Sequence, residues 1–389
     1  MRTLDRKLLR NLVSMKGPVI AIILIIACGV ASFVTVITAY RGLKASRDTY
    51  YRRYRMADVF APVKRAPRSV LDDLSRVEGV RQVEGRIVFE VTIDLPEIPQ
   101  PVSARTYSIP DAHGRILNDL HLESGRFFEG DGTREVIVAD RFAAFHGIRV
   151  GDSLRVLMNN KKESLTVVGT ALSPEFVYLI RGAGELAPDP EHFTVLWLSQ
   201  SFSEAVFDYE DAVNDVVAAI TRDADVDEVI DRFDAHLDRY GGYGAYPLED
   251  QASNRYLADE IKGLEGSATM TPTIFLAVAA FVLNMLMGRL VRTQRNQIAV
   301  YRAFGHSRRD LAGHYLKLSL LVGLAGGLIG VGVGTYFARY VLGIYKEFYS
   351  FPVLAFGADP VAIPTGILIS LIFAALGAGT AARAAGRLA

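Results

Sequence analysis

The chain has 389 residues, half of them hydrophobic, with 43 basic and 43 acidic side chains and a single cysteine. One cysteine excludes a disulfide within the chain, so any outer domain must rest on its own core. The zero formal charge excludes little, because acids and bases are segregated along the sequence rather than balanced locally.

Residues 1–17 carry Arg2, Arg6, Lys7, Arg10 and Lys16 against Asp5 and read as a cytoplasmic N-terminal segment. Residues 18–40 then form the first of four charge-free stretches; the others are 266–288, 318–338 and 360–382. Each exceeds the roughly 20 residues that cross about 30 Å of hydrocarbon at 1.5 Å per residue, which predicts four transmembrane helices. "IIAC", ending at Cys28, loosely fits a lipoprotein cleavage box. Twelve further uncharged residues follow it, however, so the stretch is expected to span and Cys28 to be a small buried hydrophobe.

Residues 41–265 have soluble composition and form the predicted extracytoplasmic domain. "DVFAPVKRAPRSVLDDLSRVEGVRQVEGRIVFEVTIDL" reads strand, helix, strand, with Pro67 in the first helical turn, Val70, Leu71, Leu74 and Val77 on one face, and Gly79 as the stop. The second strand is expected over Ile87 to Ile93. Near the far end, Val226, Val229, Ile230, Phe233 and Leu237 make a second helix stripe closed by Gly241. Residues 41–110 and 204–265 are thus expected to form one α+β subdomain, interrupted by a β-rich insertion over 111–203 with short alternating strands and Gly-Asp and Asn-Asn turns. The Pro- and Gly-rich loop 173–193 reads equally well as a functional loop or a linker. His113, His121 and His146 lack metal-ligand spacing and read as structural or surface residues. The acidic clusters read as solvated faces and helix caps. There is no G-x-S-x-G and no Gly-Lys dipeptide, hence no phosphate loop of the G-x-x-x-x-G-K-[ST] kind. No catalytic, cofactor or metal site is expected.

After the second span, residues 289–317 contain "RTQRNQIAVYRAFGHSRRDLAGHYLK", with five arginines and a lysine against Asp310 alone. On a helical wheel Ile298, Val300, Tyr301 and Phe304 fall within one arc of about 160°, with Arg295 and Arg302 on another face. Gly305 is expected to end this helix and Ser307 to cap the next. An amphipathic helix in the headgroups, a polybasic lipid or nucleic-acid patch, and a docking peg for a cytoplasmic protein all remain open on these residues, although the few, interrupted basic residues disfavour the patch.

In the third span Gly323/Gly327, Gly326/Gly330 and Gly330/Gly334 repeat at four-residue spacing, and the fourth adds Gly366, Ala374, Gly377, Ala378 and Ala382. Small residues let helix backbones approach closely, so these spans are expected to pack tightly, with Asn284 making an interhelical hydrogen bond. The loop 339–359 is balanced in charge, and 383–389 is a basic cytoplasmic end. The bias of the short loops puts both termini and 289–317 inside. The expected fold class is an α-helical membrane protein with four transmembrane helices plus an α+β extracytoplasmic domain, a split strand–helix–strand subdomain with an inserted small β-subdomain.

"RTQRNQIAVYRAFGHSRRDL" resembles the cytoplasmic coupling helix of the MacB/LolC/FtsX-like permeases, membrane subunits of an ABC transporter class. The family pattern maps onto Arg295, Ile298, Ala299, Val300, Arg302, Ala303, Gly305, Arg308 and Arg309. Where the family commonly has Glu before the isoleucine, this chain has Gln297, which removes a charge but not the shape of a peg. One span, a large outer domain and three spans is also the family's order. "VEGVRQVEGRI", "ESGRFFEGDGTREVIVADRFAAFHGIRVGDSLRV" and "LTVVGTALSPEFVYLI" resemble its outer subdomains. The chain ends at "ARAAGRLA", where the family usually continues, which implies a half-length or truncated version.

The resemblance implies a bacterial plasma-membrane permease without its own nucleotide site. Its partners would be a separate cytoplasmic ABC ATPase that holds ATP and Mg, a second permease copy or half, membrane lipid and a periplasmic adaptor, with no nucleic acid. The coupling residues it implies are Gln294, Arg295, Gln297, Ile298, Val300, Tyr301, Arg302, Ala303, Phe304, Gly305 and Ser307. The implied activity is export or extraction of a lipid, lipoprotein, peptide or drug-like substrate. The alternative is a signalling protein that regulates an extracytoplasmic partner.

Overall fold

Charge marks where a helix leaves hydrocarbon, not where it ends. The computed structural model describes residues 15–95, 100–182, 184–185, 187–304, 307–353 and 359–387. In chain order the elements begin with α1 (Lys16–Arg53), β1 (Val59–Pro67), α2 (Val70–Ser75), β2 (Val80–Arg86), β3 (Val88–Ile93), β4 (Val102–Ile109), β5 (His121–Gly125) and β6 (Glu135–Ala139). There follow α3 (Asp140–His146), β7 (Ser153–Met158), β8 (Lys161–Leu172), β9 (Phe193–Ser199), α4 (Gln200–Phe207), β10 (Ala212–Ile220), α5 (Val226–Leu237) and β11 (Tyr246–Pro247). Four more helices complete the chain: α6 (Ala252–Thr293), α7 (Arg295–Ala303), α8 (Arg308–Phe348) and α9 (Ala362–Arg387). Among the described residues, α1, α6, α8 and α9 are long and apolar enough to cross a membrane. All four outrun the charge-free stretches: α1 runs on to Arg53, α6 starts at Ala252, α8 extends from Arg308 to Phe348, and α9 runs on to Arg387. A helix satisfies its own backbone, so charged side chains in water need not terminate it.

The chain divides into two compact units. A helical unit comprises Met1–Lys44, Ile261–Ile344 and Ala355–Ala389; an outer unit comprises Ala45–Glu260 and Tyr345–Leu354. In the helical unit, Ile22, Ile26 and Val30 of α1, Leu283 and Met287 of α6, Leu318 and Val322 of α8 and Ala374 and Ala378 of α9 share one core. The glycines of α8 face two neighbours. A Cβ on Gly326, Gly330 or Gly334 would come within 2.7 Å of Ile26 Cγ2, Ala27 O or Ala31 O of α1. One on Gly323 would lie 2.6 Å from Ala374 Cβ, and one on Gly327 2.5 Å from Ser370 Oγ, both in α9. At this distance polar backbone atoms are shared: Thr35 Oγ1 donates to Gly334 O at 3.1 Å and Ser319 Oγ to Ala374 O at 2.6 Å. Asn284 is half-buried on α6. Cys28 is exposed on α1 rather than buried. The helix turns that residue away from the face, Ile22–Ile26–Val30, that its neighbours cover.

In the outer unit, β1, β2, β10 and β11 make a four-stranded antiparallel sheet in the order β11-β1-β10-β2. With α2 and α5 this is a ferredoxin-like βαββαβ arrangement. Alternation along β10 assigns its faces: Val216 and Ala218 pack with Leu74 of α2 and Phe233 of α5, while Val217 and Ala219 pack with Phe60 and Leu117. Gly79 (φ +88°) and Gly241 (φ +77°) occupy the left-handed region after α2 and α5. Pro67 ends β1 instead of opening the helix, which starts three residues later. The strand over 87–93 also departs from expectation, because β3 and β4 pair with each other and with β7 and β9. The insertion therefore begins at Val88 rather than 111. It is a seven-stranded sheet in the order β5-β8-β6-β9-β4-β3-β7, closed on itself where the first half of β8 pairs with β7. Asn159 and Asn160, both at positive φ, form the tight turn between those two strands.

The two sheets meet at a buried charge. Arg86 ends β2, with Ile87 alone between it and β3, and is 8% exposed. Its guanidinium donates to Glu175 at 2.6 and 3.2 Å and to Asp215 of β10 at 2.7 Å, and lies 4.9 Å from the Tyr107 ring centroid. Burial pulls the Arg86 pKa down, but the carboxylates of Asp215 and Glu175 outweigh it and hold the group well above its ordinary value. Glu175, in the 3₁₀ turn Pro174–Phe176, also accepts from Asn118 Nδ2 at 2.8 Å, and its carbonyl accepts from Gln251 Nε2 at 2.8 Å. Asn214 doubles the joint through reciprocal 2.7 Å bonds with the backbone of Val88. Loop 173–193 is thus no plain linker: Phe176 to Ile180 are buried.

Two outcomes follow from this packing. Gly330→Leu forces α1 from α8, a strain of about 1–3 kcal/mol or more, and lowers the thermal stability of the detergent-purified chain. Gly332→Leu, whose added Cβ meets nothing within 4 Å, leaves it unchanged; equal melting of the two variants would refute the assigned face. Glu175→Ala leaves Arg86 buried with Asp215 alone and costs about 3 kcal/mol, the lower end for a broken buried pair. The fluorescence of Trp197, the chain's single tryptophan, reports that unfolding.

Candidate functional site

Gln294 interrupts α6 and α7 without breaking the run of helical bonds: its N–H donates to Leu290 O at 3.0 Å and its carbonyl accepts from Ile298 N–H at 2.9 Å. Its side chain ties the turn to α8, since Tyr315 Oη donates to Gln294 Oε1 at 3.1 Å. Ile298 is fully buried and joins the core formed by Leu290, Leu311 and Tyr315. Among the described side chains of the short helix, Ile298 anchors it to the spans.

The outer face differs. Arg295, Asn296, Gln297, Ala299 and Ala303 are exposed, as are Val300 (53%) and Phe304 (82%). Asn296, Gln297, Val300 and Phe304 surround a shallow concavity of about 320 Å³. The single apolar arc expected from the sequence is thus divided between two environments. Ile298 and Val300 are about 160° apart at 100° per residue, too far to face the same neighbour. The side chains of Tyr301 and Arg302, and Gly305 entirely, lie outside the described residues.

The next helix begins with a capping box. Asp310 N–H donates to Ser307 Oγ at 3.2 Å, while Ser307 N–H and Oγ donate back to Asp310 Oδ2 at 3.0 and 2.7 Å. Asp310, the lone acid of the basic segment, works as a cap.

Elsewhere the candidate residues are dispersed. His113 stacks on Phe127 and bonds Asp119 at 2.9 Å, His121 meets Tyr54 Oη at 2.6 Å, and His146 is 3.1 Å from Glu191 O. Among the described residues no three His, Cys, Asp or Glu side chains converge to hold a metal ion. Asp225 caps α5 by accepting from Asp227 N–H at 3.0 Å. Sequence reasoning missed Arg86, Glu175 and Asp215. A signal existed in "EGRIVF", where an arginine adjoins an apolar run, but its carboxylate partners are remote in sequence.

Two family models match the chain: the MacB-like periplasmic core domain over residues 19–236 and the FtsX-like permease C-terminal region over residues 269–388. No curated protein matches. Among solved structures, the chain is similar to the periplasmic region of MacB from Actinobacillus actinomycetemcomitans, at 10% identity and a TM-score of 0.34, over 55% of this chain and 95% of that one. It is also similar to the extracellular domain of the noncanonic ABC-type transporter YknZ from Gram-positive bacteria, at 12% identity and a TM-score of 0.33, over 49% of this chain and 98% of that one. With the periplasmic-core match alone spanning more than half of its residues, the chain belongs to the MacB/FtsX-like family and is a membrane permease subunit of the ABC type.

Proposed function

We propose that this permease transmits the stroke of a separate cytoplasmic ATPase, gripped at α7, to the outer domain. There the stroke drives export or extraction of a lipid, lipoprotein, peptide or drug-like substrate. The observation that carries this reading is the split character of α7. Ile298 fastens the helix to the spans, and Val300 and Phe304 offer apolar surface to a partner. Burying a Phe or Val side chain contributes about 1.5–3 kcal/mol each, enough for two such anchors to hold a dock. A peg fastened only by exposed residues would bind but would not move the spans. ATP and Mg belong to the partner, and a second permease copy or half completes the unit. The basic short loops favour cytoplasmic termini with the outer unit on the other side of the membrane.

Docking predicts that Phe304→Ala with Val300→Ala abolishes co-purification of the ATPase while membrane insertion persists. Truncating buried anchors commonly costs about 2 kcal/mol or more, roughly thirtyfold in affinity. Arg295→Ala, a rim charge, weakens binding much less, and its effect shrinks as salt rises. Retention of the ATPase by the double variant would assign α7 to the lipid surface. Failure of the wild type to hold any ATPase would favour the signalling alternative.

The orientation is checked separately. In intact cells, with Cys28 replaced, an impermeant thiol reagent labels Gly184→Cys and spares Gln297→Cys. The opposite labelling would overturn the topology.

A further inference from the structure

The stretch that follows the third span is expected to be a plain loop, yet its first residues are built into the outer unit. The last turn of α8, from Tyr345, and the residues after it through Phe351 belong to that unit. Tyr349, Ser350 and Phe351 are all buried. Among the described residues, several attachments hold this segment, including an edge-on packing of Phe351 against Tyr50 at 6.1 Å. Arg141 of α3 donates to the carbonyls of Glu347 and, at 2.8 Å, Lys346, placing a cation on the orphan acceptors at the C-terminus of α8. Tyr345 Oη donates to Glu260 of α6. Burial first, and then the Glu260 carboxylate, push the Tyr345 phenol well above its ordinary pKa, so it remains a donor. Finally, Ser350 N–H donates to Val177 O at 2.7 Å, and the Tyr349 ring packs 5.3 Å from Tyr178.

Val177 is two residues from Glu175, the carboxylate that neutralises Arg86. The strap between them is short and fully enclosed: Tyr178 N–H donates to Ser253 Oγ at 2.8 Å and the Glu175 carbonyl is held by Gln251. Close-packed segments of this kind shift between discrete arrangements rather than deform gradually.

We propose that Arg141, Tyr345 and Ser350 form a latch through which the end of α8 positions the Glu175 strap, and with it the Arg86 joint between the two sheets. The proposal rests on reading the chain as a stroke-transmitting permease. It gives the third span a route to the outer domain that is independent of α7. Arg141 and Tyr345 are positioning residues; neither needs to touch cargo or the ATPase.

Hydrogen exchange on the detergent-purified full-length chain tests the latch without the ATPase. Arg141→Ala, and separately the milder Tyr345→Phe, should speed exchange about tenfold over residues 173–180 as well as 345–351. Exchange over β9 should stay unchanged, showing that the fold persists. If only 345–351 loosens and 173–180 keeps its wild-type rate, the latch does not reach Glu175 and the proposal fails. Loss of β9 protection in the Arg141 variant leaves the decision to Tyr345→Phe, which removes one hydroxyl. A second arm adds the ATPase with ATP and vanadate. Wild-type protection over 173–180 should change, and Tyr345→Phe should lose that change while still co-purifying with the ATPase. A wild-type complex in which 173–180 does not respond would also overturn the proposal. Absence of any ATPase complex would refute the transporter reading while the first arm still decides the latch.

Discussion

A guanidinium held between two carboxylates, out of water, is the constraint on which the outer domain depends. Arg86 stands at the one place where the chain passes from the four-stranded sheet into the seven-stranded one. An ion taken from water into such a site costs several kcal/mol unless its donors are matched. Here Glu175, Asp215 and the face of Tyr107 match them. Each sheet has its own apolar core, so hydrophobic burial alone would not set the angle at which they join. The directional bonds of Arg86, with those of Asn214 to Val88, do. Because a misplaced partner leaves a charge buried, the joint tolerates few geometries.

The helical unit solves a different problem. Lipid supplies no hydrophobic drive between spans, so association depends on close backbone approach and shared polar atoms. Gly326, Gly330 and Gly334 admit α1, while Gly323 and Gly327 admit α9, so one helix is the axle for two neighbours. Among the described residues, Ile298 in the shared core and the Tyr315–Gln294 hydrogen bond attach α7 and the turn before it to the spans.

The sequence by itself determined much of this protein. The four uncharged stretches, the glycine spacing in α8, the helix stripes ending at Gly79 and Gly241, and the Ser307 cap are all local patterns, readable because period and chain chemistry act over a few residues. Tertiary structure decided the rest. It moved the start of the inserted sheet from 111 to 88, because strand partners are chosen by pairing across the sheet and not by alternation along the strand. It divided the α7 arc between core and solvent, because an arc about 160° wide meets whatever neighbours the spans provide. It also brought together Arg86, Glu175 and Asp215, and Arg141 with the end of α8, across sequence separations of 89, 129 and 205 residues. No local pattern encodes such pairs: a buried charge finds its partner only after the chain has folded around it.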